Sequence, residues 1–307
     1  MKPLRIIFMG TPEFAVPSLQ KLLEAGYPVV AVITAPDKPA GRGLQMTESA
    51  VKKFALSKGL KILQPEKLKS ADFINELKAL KADVQVVVAF RMLPEIIWNM
   101  PPMGTINLHA SLLPQYRGAA PVNWAIINGE KETGVTTFRL QHEIDTGNIL
   151  LQKKIPVRDD ETAGELHDEM METGAELLLE TINRLSKGEL HGVKQDDIPQ
   201  KTLHHAPKIF TETCRIDWSK PADEIYNLIR GLSPYPAAFT FLNDKKIKIF
   251  SCEKETGATK ETPGTFSSDN KTYLKCSCSN GYIYIKELQP EGRKKMKVED
   301  FLRGWRN

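Results

Sequence analysis

Apolar and amphipathic segments alternate along the first half of the chain. Short runs that predict strands, most of them apolar on both faces, are Leu4 to Phe8, Val29 to Thr34, a run near Ile62, Val84 to Ala89, and Thr105 to Leu108. Amphipathic segments that predict helices run from Ala15 to Ala25, from about Thr47 to Ser57, and from about Ala71 to Leu80. Because strands without a polar face are covered on both sides, this pattern predicts an α/β domain built on an open, mainly parallel sheet with helices on both faces.

The second half of the chain changes character twice. Two β-rich segments, Val135 to Leu140 and Ile149 to Val157, are followed by a long amphipathic segment that predicts a helix from Thr162 to Ser186. Residues 188 to 207 are rich in Gly, Pro, His and Asp and lack periodicity, which is typical of a linker. Beyond them one helix, Ala222 to Arg230, and several short strands predict a small β-barrel: Ala238 to Leu242, Ile247 to Cys252, Thr272 to Cys276, and Tyr282 to Glu287. We therefore expect domains at 1–187 and 208–307, joined by a linker at 188–207.

Composition narrows the class of protein. The chain has 307 residues, of which 41% are hydrophobic and 26% charged, and this suits a two-domain globular protein. No apolar stretch reaches the roughly 20 residues that a membrane-spanning helix needs, and the start of the chain has no cleavage pattern, so we expect a cytoplasmic protein. The four cysteines fit neither a zinc site nor a disulfide framework, so we expect reduced thiols and no metal.

Positive charge is concentrated at the end of the chain. From Lys208 onward there are 18 Lys and Arg against 13 Asp and Glu, whereas the rest of the chain has 24 against 25. A basic C-terminal third suits a surface that meets phosphates, although an excess of this size also occurs for solubility alone.

Three residues carry the candidate chemistry. Asn107 and His109 stand two apart at the end of an apolar strand, so their side chains point the same way, and a predicted turn at Asp145-Thr146-Gly147 offers a carboxylate. An Asn amide can donate to a developing oxyanion, a His can handle a proton, and an Asp can orient the His and raise its pKa. Such a set suits attack by an external amine on a carbonyl carbon. By residue type alone, structural roles for Asn and His remain the alternative.

The first strand ends in Gly10-Thr11-Pro12-Glu13, without the later glycines that admit a pyrophosphate. We therefore expect no NAD or other dinucleotide. The adjacent histidines His204 and His205 have no partner cluster near them in sequence, so we interpret them as solvated linker residues rather than metal ligands.

Several motifs together resemble the folate-dependent formyltransferases. Asn107-Leu108-His109 precedes Ser111-Leu112-Leu113-Pro114, then Arg117-Gly118-Ala119-Ala120-Pro121, then Asp145-Thr146-Gly147, in the family's order. Further matches narrow the resemblance to the branch that acts on methionyl-tRNA: Gly10 to Pro17, Pro36 to Gly43, Ala206 to Ile209, Ile216 to Trp218, Ser233 to Ala238, and Asp300 to Gly304. These segments are spread over nearly the whole chain.

The resemblance implies a Rossmann-like catalytic domain and an oligonucleotide-binding-like C-terminal barrel. It implies transfer of the formyl group of 10-formyltetrahydrofolate, a co-substrate, to the amino group of methionyl initiator tRNA. Asn107, His109 and Asp145 take the catalytic positions. The positions expected at the folate are Ser111, Leu112, Leu113, Pro114, Phe90, Arg91, Met92 and Ile144. The chain departs from the family pattern at Phe90-Arg91-Met92-Leu93-Pro94, which is one residue short and lacks a glycine.

Candidate tRNA contacts come from two regions. The resemblance places the loop Asp37 to Gly43 near the acceptor stem, so we expect contacts from Lys38 and Arg42; the same loop by composition alone would be a mobile surface turn. In the basic C-terminal part the candidates are Lys208, Arg293, Lys294 and Lys295. The expected partners are initiator methionyl-tRNA and the folate, with no membrane association and a monomeric state.

Three other functions stay open on the sequence. A formyltransferase for a small amine, such as glycinamide ribonucleotide or a nucleotide sugar, would share the same three catalytic residues but would not need a basic barrel. A formyl-folate hydrolase domain is a second alternative. A tRNA-binding module without catalysis is a third, and the presence of all three catalytic residues argues against it.

Overall fold

The computed structural model describes residues 3–40, 45–199 and 202–304. The strands are β1 Ile6–Gly10, β2 Val29–Ile33, β3 Lys38–Ala40, β4 Gln45–Thr47, β5 Ile62–Leu63, β6 Val84–Val88, β7 Thr105–His109, β8 Arg117–Gly118, β9 Glu132–Arg139, β10 Ile149–Pro156, β11 His205–Ala206, β12 Ala238–Leu242, β13 Lys245–Thr256, β14 Phe266–Ser268, β15 Leu274–Cys278, β16 Gly281–Pro290 and β17 Met296–Lys297. The α-helices are α1 Val16–Glu24, α2 Ala50–Ser57, α3 Ala71–Ala79, α4 Glu95–Trp98, α5 Pro121–Ile127, α6 Ala163–Lys187, α7 Ala222–Gly231 and α8 Val298–Arg303.

The chain divides into two compact units. Unit 1 comprises residues 1–117, 134–155 and 167–204, and unit 2 comprises residues 118–133, 156–166 and 205–307. Two segments from the middle of the chain, one of them containing α5, thus belong to the same unit as the C-terminal strands. Asn123 of α5 donates from Nδ2 to the main-chain oxygen of Gly231 in α7 at 2.7 Å.

Unit 1 is built on a seven-stranded sheet with the order β10-β9-β7-β6-β1-β2-β5. Strands β1, β2, β5, β6 and β7 are parallel, and β9 is antiparallel to β7. The chain runs outward from β1 through β2 to β5 and then returns to β6, so the order reverses between β1 and β6. Ligands of open α/β sheets bind beyond the carboxyl ends of the strands at such a reversal.

Gly10, the last residue of β1, lies in register with Val88 at this reversal. A Cβ atom on Gly10 would lie 2.7 Å from the Cβ of Ala15 and 3.1 Å from the main-chain oxygen of Val88. The glycine of the Gly-Thr-Pro-Glu motif is therefore required by close packing at the carboxyl end of the sheet.

Helices cover both faces of the sheet, as the apolar strands predict. Phe73 and Leu77 of α3 pack with Ile7, Met9 and Val87 in one buried cluster. On the opposite face, a Cβ atom on Gly174 of α6 would lie 2.9 Å from the side chain of Leu108. The helix therefore packs closely against β7, and a larger residue at position 174 would require the Leu108 side chain to move.

Unit 2 is built on an antiparallel sheet with the order β12-β13-β16-β15-β14, and β17 pairs with β16. The pairing of β13 with β16 is irregular near Ser251, and such bulges bend a sheet. Ile225 and Ile229 of α7 pack with Ile247, Ile249 and Leu288 in the core. The predicted fold class, an open α/β sheet with a small C-terminal barrel, is confirmed, with the barrel in the form of a curled half-barrel.

Several elements were not predicted from the sequence. They are short: α4 has four residues, α5 seven, α8 six, and the β3–β4 hairpin has three residues in each strand. Segments of this length do not complete enough turns or alternations to show a period. The segment that we interpret as a linker also has local order, because Ile149 and Val193 exchange two main-chain hydrogen bonds of 2.8 Å.

Candidate active site

Strand β7 presents two polar side chains at the carboxyl end of the unit 1 sheet. Asn107 is half-buried and lies in register with Val87 of β6, and His109 is 8% exposed. Residues two apart on a strand face the same side, so both side chains lie on the Val87 side of the sheet. The Asn107 amide has no hydrogen-bond partner within the described part of the chain. It is therefore available to a substrate.

His109 is held from one side by main chain and faced from the other by a carboxylate. Its Nε2 lies 2.9 Å from the main-chain oxygen of Tyr116, and its Nδ1 lies 3.9 Å from Oδ2 of Asp145. A carbonyl oxygen only accepts hydrogen bonds, so Nε2 carries a proton. Because 3.9 Å exceeds hydrogen-bond length, the Nδ1 position remains available for a substrate.

The Asp145 turn has a constrained main chain. Asp145 adopts φ 55°, in the left-handed region, where Asp is one of the few non-glycine residues found with any frequency. A Cβ atom on Gly147 would lie 1.7 Å from the main-chain oxygen of Arg139, so no larger residue fits there. Within unit 1 the structure thus brings Asn107, His109 and Asp145 to one end of the sheet. These are the three residues that the sequence predicts for catalysis, and all of them lie at the carboxyl end of the sheet.

The Ser-Leu-Leu-Pro segment forms a tight, internally bonded turn. Ser111 is fully buried and donates from Oγ to the main-chain oxygen of Gln115 at 2.6 Å. Leu113 is 2% exposed; its amide donates to Oγ1 of Thr136 at 3.1 Å, and its oxygen accepts from Nε2 of Gln152 at 2.9 Å. Pro114 is buried and Leu112 is half-buried. The Ser111 hydroxyl therefore stabilises the turn.

Two of the predicted folate positions expose large apolar side chains. Met92 is 74% exposed and Ile144 is 60% exposed, whereas Phe90 packs at the edge of the α3 cluster. Arg91 stacks on Phe90, with Cζ 5.6 Å from the ring centroid, and donates to the main-chain oxygens of Pro65 and Glu66. The shortened Phe90 to Pro94 loop is therefore fastened through Arg91, and its Met92 side chain remains free in solvent.

The loop expected to approach tRNA is anchored at its base. Lys52 of α2 binds Asp37 and also Glu48, the latter at 3.0 Å, and Gln64 donates to Oδ1 of Asp37 at 2.8 Å. The hydrogen bond from Lys52, followed by that from Gln64, lowers the pKa of Asp37, and the bond to Asp37 raises the pKa of Lys52. Lys38 lies exposed on β3, and Arg42 lies outside the described residues.

Unit 2 has a group of cations and aromatic rings, here named the cationic aromatic patch: Arg215, Phe239, Phe241, Lys246 and Lys248. Arg215 is exposed, the two lysines are half-buried and Phe239 is buried. Phe241 is 45% exposed, and its ring lies 5.7 Å from the Arg215 guanidinium and 6.0 Å from the Phe239 ring. Lys246 lies 3.7 Å from the Phe239 centroid. Within the described ranges, none of the three cations of the patch forms an ion pair. Sequence reasoning missed this patch because Arg215 lies far from β12 and β13 in the chain.

The predicted basic residues of unit 2 differ in how they are engaged. Lys208 is exposed and lies 5.6 Å from the ring of Phe210, which is itself 58% exposed. Arg293 and Lys294 are exposed, and Lys295 pairs with Glu287 at 2.7 Å.

The remaining candidates for other chemistry are accounted for. The four cysteines are buried and free. Among the described residues, no group of three or more His, Cys, Asp or Glu side chains is arranged to hold a metal ion. His204 is exposed and stacks on Tyr116, with ring centroids 5.8 Å apart. None of the described helices is long and apolar enough to cross a bilayer.

Comparison with known protein families identifies the family of this chain. A family model described as formyl transferase matches residues 4–182, and a model described as formyl transferase, C-terminal domain, matches residues 208–306. The chain belongs to the formyl transferase family. The resemblance inferred from the Asn-x-His, Ser-Leu-Leu-Pro and Asp-Thr-Gly motifs is confirmed.

Curated formyl transferase relatives are similar to this chain over nearly their whole length. The chain is 51% identical over 308 residues to the methionyl-tRNA formyltransferase of Bacteroides fragilis, with 98% of this chain and 95% of the relative covered. It is 55% identical over 313 residues to that of Phocaeicola vulgatus, with 99% and 97% covered.

Solved structures of more distant formyl transferases share the fold. WlaRD, a sugar 3N-formyl transferase in the presence of dTDP and 5-N-formyl-THF, is 22% identical, with a TM-score of 0.68 over 96% of this chain and 100% of that one. HypX from Aquifex aeolicus in complex with tetrahydrofolic acid is 18% identical, with a TM-score of 0.66 over all of this chain and 50% of that one.

Proposed function

We propose that this chain is a methionyl-tRNA formyltransferase, which transfers the formyl group of 10-formyltetrahydrofolate to the amino group of methionyl initiator tRNA. The observation that carries this is the identity of about half of all residues, over nearly the full chain, with enzymes of that name. The site agrees with it, since Asn107, His109 and Asp145 meet at the carboxyl end of the sheet.

The transfer needs no protein nucleophile. The methionyl amine attacks the formyl carbon, a C–N bond forms, and the formyl oxygen becomes an oxyanion in a tetrahedral intermediate. Collapse of the intermediate breaks the bond to N10 of the folate, which takes up a proton as the amine loses one. The unpartnered Asn107 amide donates to the oxyanion, and removal of one such donor typically costs 100- to 1,000-fold in rate.

His109 acts through Nδ1, because Nε2 is occupied by the Tyr116 oxygen at 2.9 Å. From Nδ1 the ring shares a proton with the reacting groups. The Asp145 carboxylate, 3.9 Å away and 15% exposed, stabilises the positive charge that develops on the ring.

The folate lies against the apolar surface next to this site. The exposed side chains of Met92 and Ile144 and the ring of Phe90 suit the flat face of a pterin, and large exposed apolar groups mark binding surfaces. The buried turn from Ser111 to Pro114 forms the wall of the same pocket through its main chain. Arg91 shapes the loop from behind rather than contacting the ligand, because its guanidinium already binds the carbonyls of Pro65 and Glu66.

Transfer RNA is bound by two regions. The cationic aromatic patch combines a ring for stacking with cations for phosphates, which is the composition of surfaces that bind nucleic acid strands. Lys208, Arg293, Lys294 and Lys295 add to this basic surface. Strand β3, which directly follows Asp37 and its ion pair with Lys52, carries Lys38 to the acceptor end. Arg42, outside the described residues, is a second proposed contact from its place in the sequence. The enzyme acts as a monomer.

A single-turnover assay tests this function against the small-amine alternative. The chain is mixed with 10-formyltetrahydrofolate labelled in the formyl group and with charged initiator methionyl-tRNA, glycinamide ribonucleotide or an amino-sugar nucleotide. Label should appear in formyl-methionyl-tRNA alone, and uncharged tRNA is the control. Transfer to either small amine without transfer to methionyl-tRNA would overturn the proposal.

A further inference from the structure

The turn that carries Asp145 is tied by one side-chain amide. Nε2 of Gln195 donates to the main-chain oxygen of Asp145 at 2.8 Å and to that of Gly147, also at 2.8 Å. Gln195 is 3% exposed, so water does not replace these bonds. Both ends of the Asp-Thr-Gly turn are therefore fixed by the same nitrogen atom.

The orientation of this amide is set by an arginine. Arg117 donates to Oε1 of Gln195 from Nε at 2.9 Å and from Nη2 at 2.6 Å. A guanidinium offers donors only, so the amide oxygen faces Arg117 and the amide nitrogen faces the turn. The oxygen of the Gln195 amide thus accepts two hydrogen bonds, and its nitrogen donates two.

The main chain around Gln195 is itself anchored to the sheet. The two hydrogen bonds between Ile149 and Val193 fasten this segment to the first residue of β10, and residues Gln195–Asp197 continue in a 3₁₀ turn. A Cβ atom on Gly192 would lie 2.8 Å from the Cβ of Asn148, so the segment lies tightly against the strand. Gln195 is therefore a fixed point rather than a group on a loose linker.

Neighbouring residues hold the two partners of the His109–Asp145 pair. The main-chain oxygen of Tyr116 accepts a hydrogen bond from Nε2 of His109. The next residue, Arg117, binds the side chain of Gln195, which in turn binds the main chain of Asp145. Tyr116 adopts φ 58°, and its amide donates to the oxygen of His204 at 2.7 Å, which keeps its carbonyl pointed at the histidine. The separation of 3.9 Å between ring and carboxylate is thus maintained without a direct hydrogen bond.

We propose that Gln195 is a positioning residue for the transfer reaction, which holds the Asp145 carboxylate opposite His109 through the main chain of the turn and is itself oriented by Arg117. This rests on the proposed roles of His109 and Asp145. Gln195 does not touch the substrates; its effect passes through the position of the carboxylate, and misplacement of a catalytic group by about 1 Å can cost on the order of 100-fold in rate.

Two substitutions separate holding the turn from pairing with Arg117. Gln195→Glu keeps an acceptor for Arg117 but replaces the amide nitrogen with an oxygen that repels the carbonyls of Asp145 and Gly147. Gln195→Met removes both functions at similar length. We expect each to lower the single-turnover rate on the order of 10- to 100-fold and to alter its pH profile. Gln20→Glu makes the same change on an exposed face of α1, where the side chain bonds only Glu24, and should leave the rate unchanged.

Thermal unfolding and a double-mutant cycle complete the test. Gln195→Glu, which retains the pair with Arg117, should lower the thermal midpoint less than Gln195→Met does and remain folded at the assay temperature, while its rate falls. In a chain that already carries Asp145→Asn, adding Gln195→Glu should lower the single-turnover rate by less than a further threefold. The effects of two residues that act through the same interaction do not add. A wild-type rate for Gln195→Glu, or the same factor lost in both backgrounds, would overturn the inference and leave the proposed function standing. A wild-type rate for Asp145→Asn would instead remove Asp145 from the reaction and the inference with it.

Discussion

Lys295 forms an ion pair with Glu287 at 2.7 Å, so the most obvious basic run of the sequence is partly neutralised by its own fold. Arg215 and Lys246, which no sequence run brings together, lie beside aromatic rings instead: Arg215 beside the exposed Phe241 and Lys246 beside the buried Phe239. Affinity for phosphates follows the cations that a ligand can reach. We therefore expect the cationic aromatic patch, rather than the Arg293 to Lys295 run, to be the main tRNA contact of unit 2.

Substitutions in the patch should separate stacking from charge. Arg215→Ala and Lys246→Ala should each raise the KM for methionyl-tRNA and lower the salt dependence of tRNA binding by about one phosphate contact. Phe241→Leu should raise the same KM by about 10-fold with an unchanged salt slope, because stacking is not ionic. Filter binding at several salt concentrations measures both quantities.

Lys286→Ala is the matched control, because that lysine already pairs with Glu253 at 2.9 Å. The triple change of Arg293, Lys294 and Lys295 to Ala should flatten the slope less than Arg215→Ala and Lys246→Ala combined. A flat salt response of the wild-type chain would exclude this surface as the tRNA site and reopen the small-amine alternative.

Asn107→Ala should lower the rate of transfer by about 100-fold or more, since it removes one donor to the oxyanion. The KM for 10-formyltetrahydrofolate should change little. Single-turnover measurements with labelled formyl-folate give the rate, and Asn183→Ala, on the exposed end of α6, controls for loss of an amide elsewhere. A reduction of less than threefold would remove Asn107 from the mechanism.

Asp145→Asn should lower the rate of transfer, while the KM for 10-formyltetrahydrofolate changes little. The reason is electrostatic: a carboxylate 3.9 Å from Nδ1 stabilises the positive charge that develops on the His109 ring during the reaction, and a neutral amide does not. The measurement is the single-turnover rate with methionyl-tRNA. Full activity would show that the two residues are not coupled.

The thiols should be unreactive in the folded chain. Burial raises the pKa of Cys252 from 9.0 to about 12 and also raises the pKa of Cys214, Cys276 and Cys278. Only a thiolate reacts with a disulfide reagent, so native protein at about pH 8 should react slowly, while all four thiols react in denaturant.

The same raised pKa makes stability depend on pH with a definite sign. The neutral, buried thiol of Cys252 makes its full contribution to the free energy of unfolding below its unfolded pKa of 9.0. That contribution is lost as the pH rises toward the folded pKa of about 12. The thermal midpoint should therefore decline above about pH 9, and less so in a Cys252→Ala variant. Rapid labelling of native protein would contradict the burial on which both expectations rest.

Point substitutions are preferable to removal of the chain from Lys208 onward. The sequence predicts that this truncation raises the KM for tRNA more than for folate. In the structure, however, residues 118–133 and 156–166 belong to the same unit as the C-terminal sheet, and α5 bonds α7 through Asn123. The truncated chain would expose the buried face of α5.

The amino-acid sequence by itself determined the long elements, the fold class and the family. Strand β12 was predicted with its observed bounds, and β2, β6 and α7 within a residue at either end, because apolar periodicity reports burial directly. Asn107 and His109 were found together because their alternation on one strand is a local property. Asp145 was assigned through the family motif, and the structure then placed it 3.9 Å from His109.

Tertiary structure alone decided what holds these residues. Gln195 is 50 residues from Asp145 and 78 from Arg117, and it lies in a segment whose composition is typical of a linker. The oxygen that accepts a hydrogen bond from His109 belongs to the main chain of Tyr116, so the amino-acid type at position 116 does not predict this contact. Arg215 reaches Phe241 only because β12 folds back beside it. Such contacts depend on distances between atoms that are remote along the chain, and a local pattern of polar and apolar positions contains no information about them.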